Sequence, residues 1–168
     1  MQMVRRLAVV LLAGVAVAGC AELERLRAFV QPPQFEEAPD LEPSIRLLGP
    51  GSGRPLGGAA VRLWARVTNP NPFTLTLGTL QGTLYLEDQR AADASFPLGL
   101  PLAARGDTTI PIDLSLSFSD LPGLADAVRR AANRQPLAYR LEGTIGVDAG
   151  RLGQPIFGPL TLLRGNIR

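Results

Sequence analysis

Four stretches of the chain alternate apolar with polar residues, a pattern typical of β-strands that bury one face and expose the other. The clearest stretch covers residues 61–68, where valine, leucine, alanine and valine form the apolar row. Further strong strands are predicted at 80–87, 110–118 and 139–147, and weaker ones at 44–48, 73–77, 94–98 and 156–164. About seven short strands separated by Gly, Pro, Asn and Asp clusters predict an immunoglobulin-like or fibronectin-III-like sandwich of two antiparallel sheets.

One segment has helical spacing instead. Apolar residues recur every three or four positions from Leu121 to Ala132, which predicts a single amphipathic helix. Asp120 can accept hydrogen bonds from its first N–H groups, and Asn133 can close its last turn. We expect the apolar side of this helix to cover an open end or edge of the sandwich.

The N-terminal residues have the order of a secretory signal. Two arginines precede an apolar stretch at 7–18, which is too short to span about 30 Å of hydrocarbon as a helix. Val17, Ala18 and Gly19 then lead to Cys20, the only cysteine of the chain. This group resembles a bacterial lipobox, in which cleavage leaves a lipidated cysteine as the mature N-terminus. An ordinary signal peptide with a chance cysteine is the alternative, but a lone exported cysteine has no disulfide partner within its own chain.

This order predicts three parts. Residues 1–19 form the signal peptide, residues 20–43 contain the lipidated cysteine and a Pro-rich tether, and residues 44–168 form the folded domain. Residues 31–43 are rich in proline and acidic side chains, so we expect an extended spacer there and no packed element. The lipid would hold the domain on the periplasmic side of a bacterial envelope membrane. Ala21, directly after Cys20, slightly favours the outer membrane.

Charge and residue content exclude several functions. The chain has 17 basic residues, all arginine, and 15 acidic ones; two arginines belong to the signal peptide, so the mature chain has 15 of each. A chain without net charge lacks the basic surface with which proteins bind nucleic acid. The chain has no histidine or lysine, and lipidation of Cys20 would leave no free thiol. We therefore expect no enzymatic activity, no cofactor and no bound metal, because the usual bases, ligands and nucleophiles are missing.

A proline-rich motif, Asn69-Pro70-Asn71-Pro72-Phe73, follows the clearest predicted strand. The prolines have no N–H to donate, and asparagine side chains can replace missing backbone partners, so the motif predicts a stiff corner. Together with the strand before it and Gly82-Thr83-Leu84-Tyr85-Leu86 after it, the motif resembles the type-2 late embryogenesis abundant family, the water-stress and hypersensitive-response (WHy) domains. The resemblance implies a sandwich of two antiparallel sheets plus one helix, a structural role for the motif, and no catalytic centre.

Polar positions of the same strand place Arg62, Trp64 and Arg66 on its outward face. A tryptophan between two guanidinium groups could form a contact patch for a partner. Alternatively, the arginine stems pack over the indole ring and shield it. Asp113 and Glu142 also fall on outward faces, where a cross-strand ion pair with Arg140 or another arginine is expected.

Three functions are consistent with these patterns. The family resemblance implies a non-enzymatic protein that binds or protects in water or desiccation stress. A second is a periplasmic lipid-handling module with an apolar groove for an acyl chain between its sheets, and a third is a scaffold subunit of an envelope complex. A groove open to the surface would favour lipid handling, whereas a packed core with an exposed patch near Trp64 would favour partner binding.

Overall fold

The computed structural model describes residues 29–119 and 124–167. Within these ranges the chain forms eight strands, one α-helix and one 3-10 turn. The elements are β1 (Gln34–Glu37), β2 (Ser44–Leu48), β3 (Gly58–Thr68), β4 (Leu75–Leu86), β5 (Gln89–Leu102), β6 (Asp107–Ser117), α1 (Leu124–Ala132), β7 (Leu137–Asp148), the 3-10 turn (Gly150–Leu152) and β8 (Ile156–Ile167). The predicted signal peptide, lipobox and Cys20 lie outside the described residues, as do Asp120 and Leu121 at the predicted helix start.

Two antiparallel four-stranded sheets form the sandwich. In the first sheet β3 is central: β6 pairs along its whole length on one side, and β1 and β2 pair with the two halves of its other side. In the second sheet the strand order is β5-β4-β7-β8. The predicted fold class, two antiparallel sheets with one helix, is confirmed over the described residues.

Alternate residues of both sheets fill the interior. On β3 the inward residues Val61, Leu63, Ala65 and Val67 are at most 1% exposed, while Arg62 between them reaches solvent. The largest fully buried side chains are all leucine or isoleucine: Leu63, Leu75, Leu77, Leu80, Leu84, Leu86, Leu102, Leu137, Leu141, Ile145 and Ile167. Burying a side chain of this size stabilises a fold by about 1.5–3 kcal/mol. This layer therefore holds the two sheets together.

Strand β4 joins two stretches that the alternation separates. The predicted strands at 73–77 and 80–87 form one continuous strand with a register shift between Leu77 and Thr79. The bulge at Gly78 changes the phase by one residue, so Leu77 and Leu80 both face the interior. The sequence pattern breaks at this point although the strand does not.

The predicted tether requires a correction. Within the segment 31–43, residues 34–37 form strand β1, which pairs with β3 from Gln34 opposite Thr68 to Glu37 opposite Ala65. Val30, Pro33 and Ala38 are buried, and Phe35 packs against the core. The folded part thus begins before the predicted boundary at 44. The strand escapes prediction because its four residues contain a single apolar side chain, too few to show alternation.

The helix α1 packs against β2 of the first sheet and β7 of the second, so it covers one end of the sandwich as expected. Its buried residues are Ala127, Val128 and Ala131. The residue that ends the helix in a left-handed conformation is Arg134, with φ of 64°, and not the predicted Asn133. The N–H of Gln135 bonds the carbonyl of Arg130 at 3.1 Å across this turn, which is the closing bond of a Schellman motif.

Strand β1 is also attached to the second sheet. The hydroxyl of Tyr139, on β7, donates a hydrogen bond to the carboxylate of Glu37, on β1. A side chain at position 165 of β8 would overlap this carboxylate, so Gly165 allows the close approach. Burial and the neighbouring carboxylate both raise the pKa of Tyr139, because each disfavours the charged phenolate.

This contact predicts an alkaline limit to stability. When the folded pKa of a tyrosine is raised, the unfolded chain loses its proton first, so stability present below pH about 10 falls as the pH rises further. In a chain of residues 20–168 carrying Cys20→Ser, the two tyrosines are the only side chains with an ordinary pKa between about 9 and 12. We expect urea unfolding to show a stability loss of up to about 1.4 kcal/mol per pH unit above pH 10.

Tyr139→Phe should abolish this loss, whereas Tyr85→Phe, which changes the outward-facing tyrosine, should retain it. Equal alkaline slopes for the two variants would show that the Tyr139–Glu37 contact does not exist in solution.

Candidate functional site

Buried polar side chains of the described residues lie in the corner, residues 69–73, which links β3 of the first sheet to β4 of the second. Asn69 and Asn71 are its two buried polar residues, each with 0% exposure. The Nδ2 of Asn69 donates to the carbonyl oxygens of Phe73 at 2.8 Å and Ala103 at 3.0 Å, with a longer contact of 3.4 Å to Leu102. One amide thus serves carbonyls from two separate chain segments.

The second asparagine extends this network to the N-terminal segment. The Oδ1 of Asn69 accepts hydrogen bonds from both the backbone N and the Nδ2 of Asn71, each at 3.0 Å. The side-chain amide of Asn71 also bonds the backbone of Gln31 in both directions, donating to its carbonyl at 2.9 Å and accepting from its N–H at 2.8 Å. We call this two-way contact the Asn71 clamp. One side-chain amide thus makes the same donor and acceptor bonds to Gln31 that a neighbouring backbone strand would make.

Backbone contacts complete the corner. The N–H of Asn69 donates to the carbonyl of Gly106 at 2.9 Å, and the carbonyl of Asn71 accepts from Arg105 at 3.0 Å. Every nitrogen and oxygen of the two asparagine side chains therefore has a partner within the protein. The two asparagine side chains thus join three chain segments.

Outward residues of β3 form a row of paired charges. The guanidinium group of Arg62 makes two hydrogen bonds to Asp113 on β6, at 2.6 and 3.0 Å. This pair lowers the pKa of the Asp113 carboxyl and raises that of Arg62, because each favours the charged form of the other. Arg66 lies 3.8 Å from Asp107, also on β6. The expected ion pairing of Asp113 thus takes place across the two strands.

The indole of Trp64 lies between these pairs and is half-buried. The guanidinium carbon of Arg62 is 5.8 Å from the centre of its ring, within cation–π range, and Pro111 is its cross-strand neighbour. The three predicted patch residues therefore share one face, and this arrangement favours the shielded interpretation over an open contact patch.

A second outward cluster, centred on Arg140, lies on the second sheet. The guanidinium carbon of Arg140 lies 4.7 Å from the centre of the Tyr85 ring, and its nitrogens lie 2.6 Å from Glu142 and 3.5 Å from Asp88. Glu142 thus pairs with Arg140, which the sequence analysis names as a candidate partner. The pair lies within β7, two residues apart, and not across two strands as expected.

The described residues show neither a metal-binding cluster nor a membrane-spanning helix. Among residues 29–119 and 124–167, no group of three or more His, Cys, Asp or Glu side chains is arranged to hold a metal ion. In the same part of the chain, no helix has the length and apolar content needed to cross a bilayer.

The corner predicts a specific stability effect. Asn69→Ala should lower the free energy of unfolding by about 1–3 kcal/mol, because it leaves the buried N–H of Asn71 without an acceptor and removes a donor from the part-buried carbonyls of Phe73 and Ala103. Urea unfolding followed by Trp64 fluorescence would measure it. The matched control is Asn133→Ala at an exposed position, for which we expect a change within about 0.5 kcal/mol. Equal free energies of unfolding for the two variants would show that the Asn69 side chain does not stabilise the fold.

A family model described as late embryogenesis abundant protein matches residues 65–156, which is 92 of 168 residues. No curated protein matches the sequence.

The fold resembles solved structures of low sequence identity. A solution structure from Arabidopsis thaliana has 16% identity and a TM-score of 0.52, covering 83% of this chain and 78% of that one. A solution structure described as a late embryogenesis abundant protein has 15% identity and a TM-score of 0.48, covering 92% and 85%. A crystal structure from Archaeoglobus fulgidus has 18% identity and a TM-score of 0.43, covering 70% and 90%. Because the family model spans the corner and matches more than half of the chain, this protein belongs to the type-2 late embryogenesis abundant family.

Proposed function

We propose that this protein is a non-enzymatic lipoprotein of the bacterial cell envelope that acts as a protective or binding module in water stress. An acyl anchor on Cys20 holds the sandwich on the periplasmic side of a membrane, with the outer membrane slightly favoured. The observation that carries the proposal is the family match over residues 65–156, since members of this family are generally non-enzymatic.

The outer surface of the sandwich supports a role that depends on contact with water and with other surfaces. Several of its charged groups form ion pairs, as in Arg62 with Asp113 and Arg140 with Glu142. Between the pairs, threonine and serine hydroxyls of β4 and β6 face outward. Such a face offers many hydrogen-bonding groups without a strong net charge, so it can interact with diverse surfaces as water is withdrawn.

The packing of the interior argues against the lipid-handling alternative. An acyl chain between the sheets would need the space that Leu63, Leu80, Leu84 and Leu141 occupy, and each of these is 0% exposed. The recess beside Tyr85 and Arg140, of about 630 Å³, opens onto the outer face of the second sheet and not between the sheets. Its lining includes Arg140, Arg164 and Asp88, which do not suit a hydrocarbon.

The anchor is tested by removing its thiol. Cys20→Ser should abolish acylation because a hydroxyl replaces the thiol that the modification needs, and the protein should move from the detergent phase to the aqueous phase. Intact-mass measurement of the mature chain would show the acyl groups directly. As a control, Cys20→Ser combined with Ser52→Cys restores a thiol outside the lipobox and should remain unacylated. A mature wild-type chain without acyl mass would overturn the anchor.

The protective role is tested with the soluble Cys20→Ser chain. When dried and rehydrated together with a drying-sensitive dehydrogenase, it should preserve at least twice the reporter activity that an equal mass of serum albumin preserves. Protection equal to that by albumin would contradict the protective role and leave the scaffold alternative.

A further inference from the structure

The strand register gathers several connections at one end of the sandwich. In the first sheet, antiparallel pairing places the end of β3 beside the start of β6. In the second sheet, the start of β4 lies beside the ends of β5 and β7, and the start of β8 lies beside the end of β7. The corner, the turn at 103–106 and the loop at 149–155 therefore share this end, which we call the corner end. The loop at 49–57 and helix α1 lie at the opposite end.

The N-terminal segment also reaches the fold at the corner end. The Asn71 clamp holds the backbone of Gln31, and Val30 directly before it is 4% exposed. Only residues 21–29 separate Cys20 from this point. Even fully extended, a segment of this length spans no more than about 30–35 Å. A lipid on Cys20 would thus keep the corner end near the bilayer.

Exposed side chains at the corner end combine apolar and basic character. Phe29 is 71% exposed and Ile156 is 75% exposed, the two highest values among the large apolar residues described. Arg105 and Arg151 are exposed at the tips of the turn and the loop, and no carboxylate lies within ion-pair distance of either in the described residues.

The acidic side chains Asp107 and Asp148 at this end contact other groups of the protein. The carboxylate of Asp148 accepts the N–H of Gly150 at 2.8 Å and is 3.4 Å from the amide of Gln154. Asp107 lies 3.8 Å from Arg66. Arg105 and Arg151 therefore have no carboxylate partner within the described residues and are accessible from outside.

We propose that the corner end docks on the anionic lipid surface of the membrane that holds Cys20. Phe29 and Ile156 enter the headgroup region, where aromatic and aliphatic side chains are favourable, and Arg105 and Arg151 contact lipid phosphates. Near an anionic leaflet each arginine contributes about a fivefold preference for the surface. This inference rests on the proposed lipid anchor, which would convert a weak contact into an intramolecular one.

The test uses the acylated chain reconstituted in vesicles of phosphatidylglycerol and phosphatidylcholine that contain a headgroup quencher. Because Cys20 is the only cysteine, a fluorophore can be attached at Ala104→Cys on the corner end or at Ser52→Cys on the opposite end. The length of β3 separates the two ends by about 35 Å. We expect strong quenching of the label at 104 and little at 52.

Two matched triple variants separate docking from simple tethering. Ile156→Ser with Arg105→Gln and Arg151→Gln should lower the docked-to-undocked ratio at least about 25-fold and reduce quenching at 104 to the level at 52. Leu56→Ser with Arg130→Gln and Arg134→Gln makes the same changes at the opposite end and should leave quenching unchanged. Equal quenching of the two labels, or no effect of the first variant, would overturn the docking. Labelling of Cys20 itself would instead show that the anchor is missing, so the two failures are distinguishable.

Discussion

The side-chain amide of Asn69 is the interaction on which the rest of the sandwich depends. The chain must cross from one sheet to the other between β3 and β4, and both asparagines of this crossing are fully buried. Pro70 and Pro72 stiffen the crossing but supply no N–H groups. Without Asn69, the buried N–H of Asn71 would lack an acceptor, at a cost of about 1–3 kcal/mol, and the part-buried carbonyls of Phe73 and Ala103 would lose a donor. The single side chain of Asn69 bonds all of these groups and thereby fixes the relative position of the two sheets.

The corner also determines how the N-terminal segment meets the domain. Asn71 receives its position from Asn69, and it in turn clamps Gln31, so the segment from Val30 through β1 lies on the fold. Glu37 then reaches the second sheet at Tyr139. The segment expected as an extended spacer is therefore mostly part of the domain, and the proposed tether shortens to residues 21–29. The same residues that stabilise the sandwich thus limit its distance from the proposed membrane anchor.

Ion pairs and hydroxyl groups on the outward faces give this family member a hydrated surface without strong charge. Exposed pairs such as Arg62 with Asp113 contribute little to stability individually. Arg105 and Arg151 at the turn tips of the corner end, like several arginines elsewhere in the described residues, have no carboxylate within ion-pair distance. A tightly packed interior, together with the exposed apolar side chains at the corner end, suits a module that acts through its surface.

The sequence by itself determined the strands with regular alternation, the single helix and the corner motif, because these depend on neighbouring residues. Residues 61–68, 110–118 and 139–147 alternate with the period of a strand, and the family likeness lies in the same local patterns. Only the tertiary structure decided the partners of the polar side chains. Asn71 binds a residue 40 positions away, and Tyr139 binds one 102 positions away, distances at which no local pattern operates. Strand β1 likewise exists because β3 offers it a free edge, and β4 is continuous because its bulge at Gly78 is accommodated by both neighbouring strands.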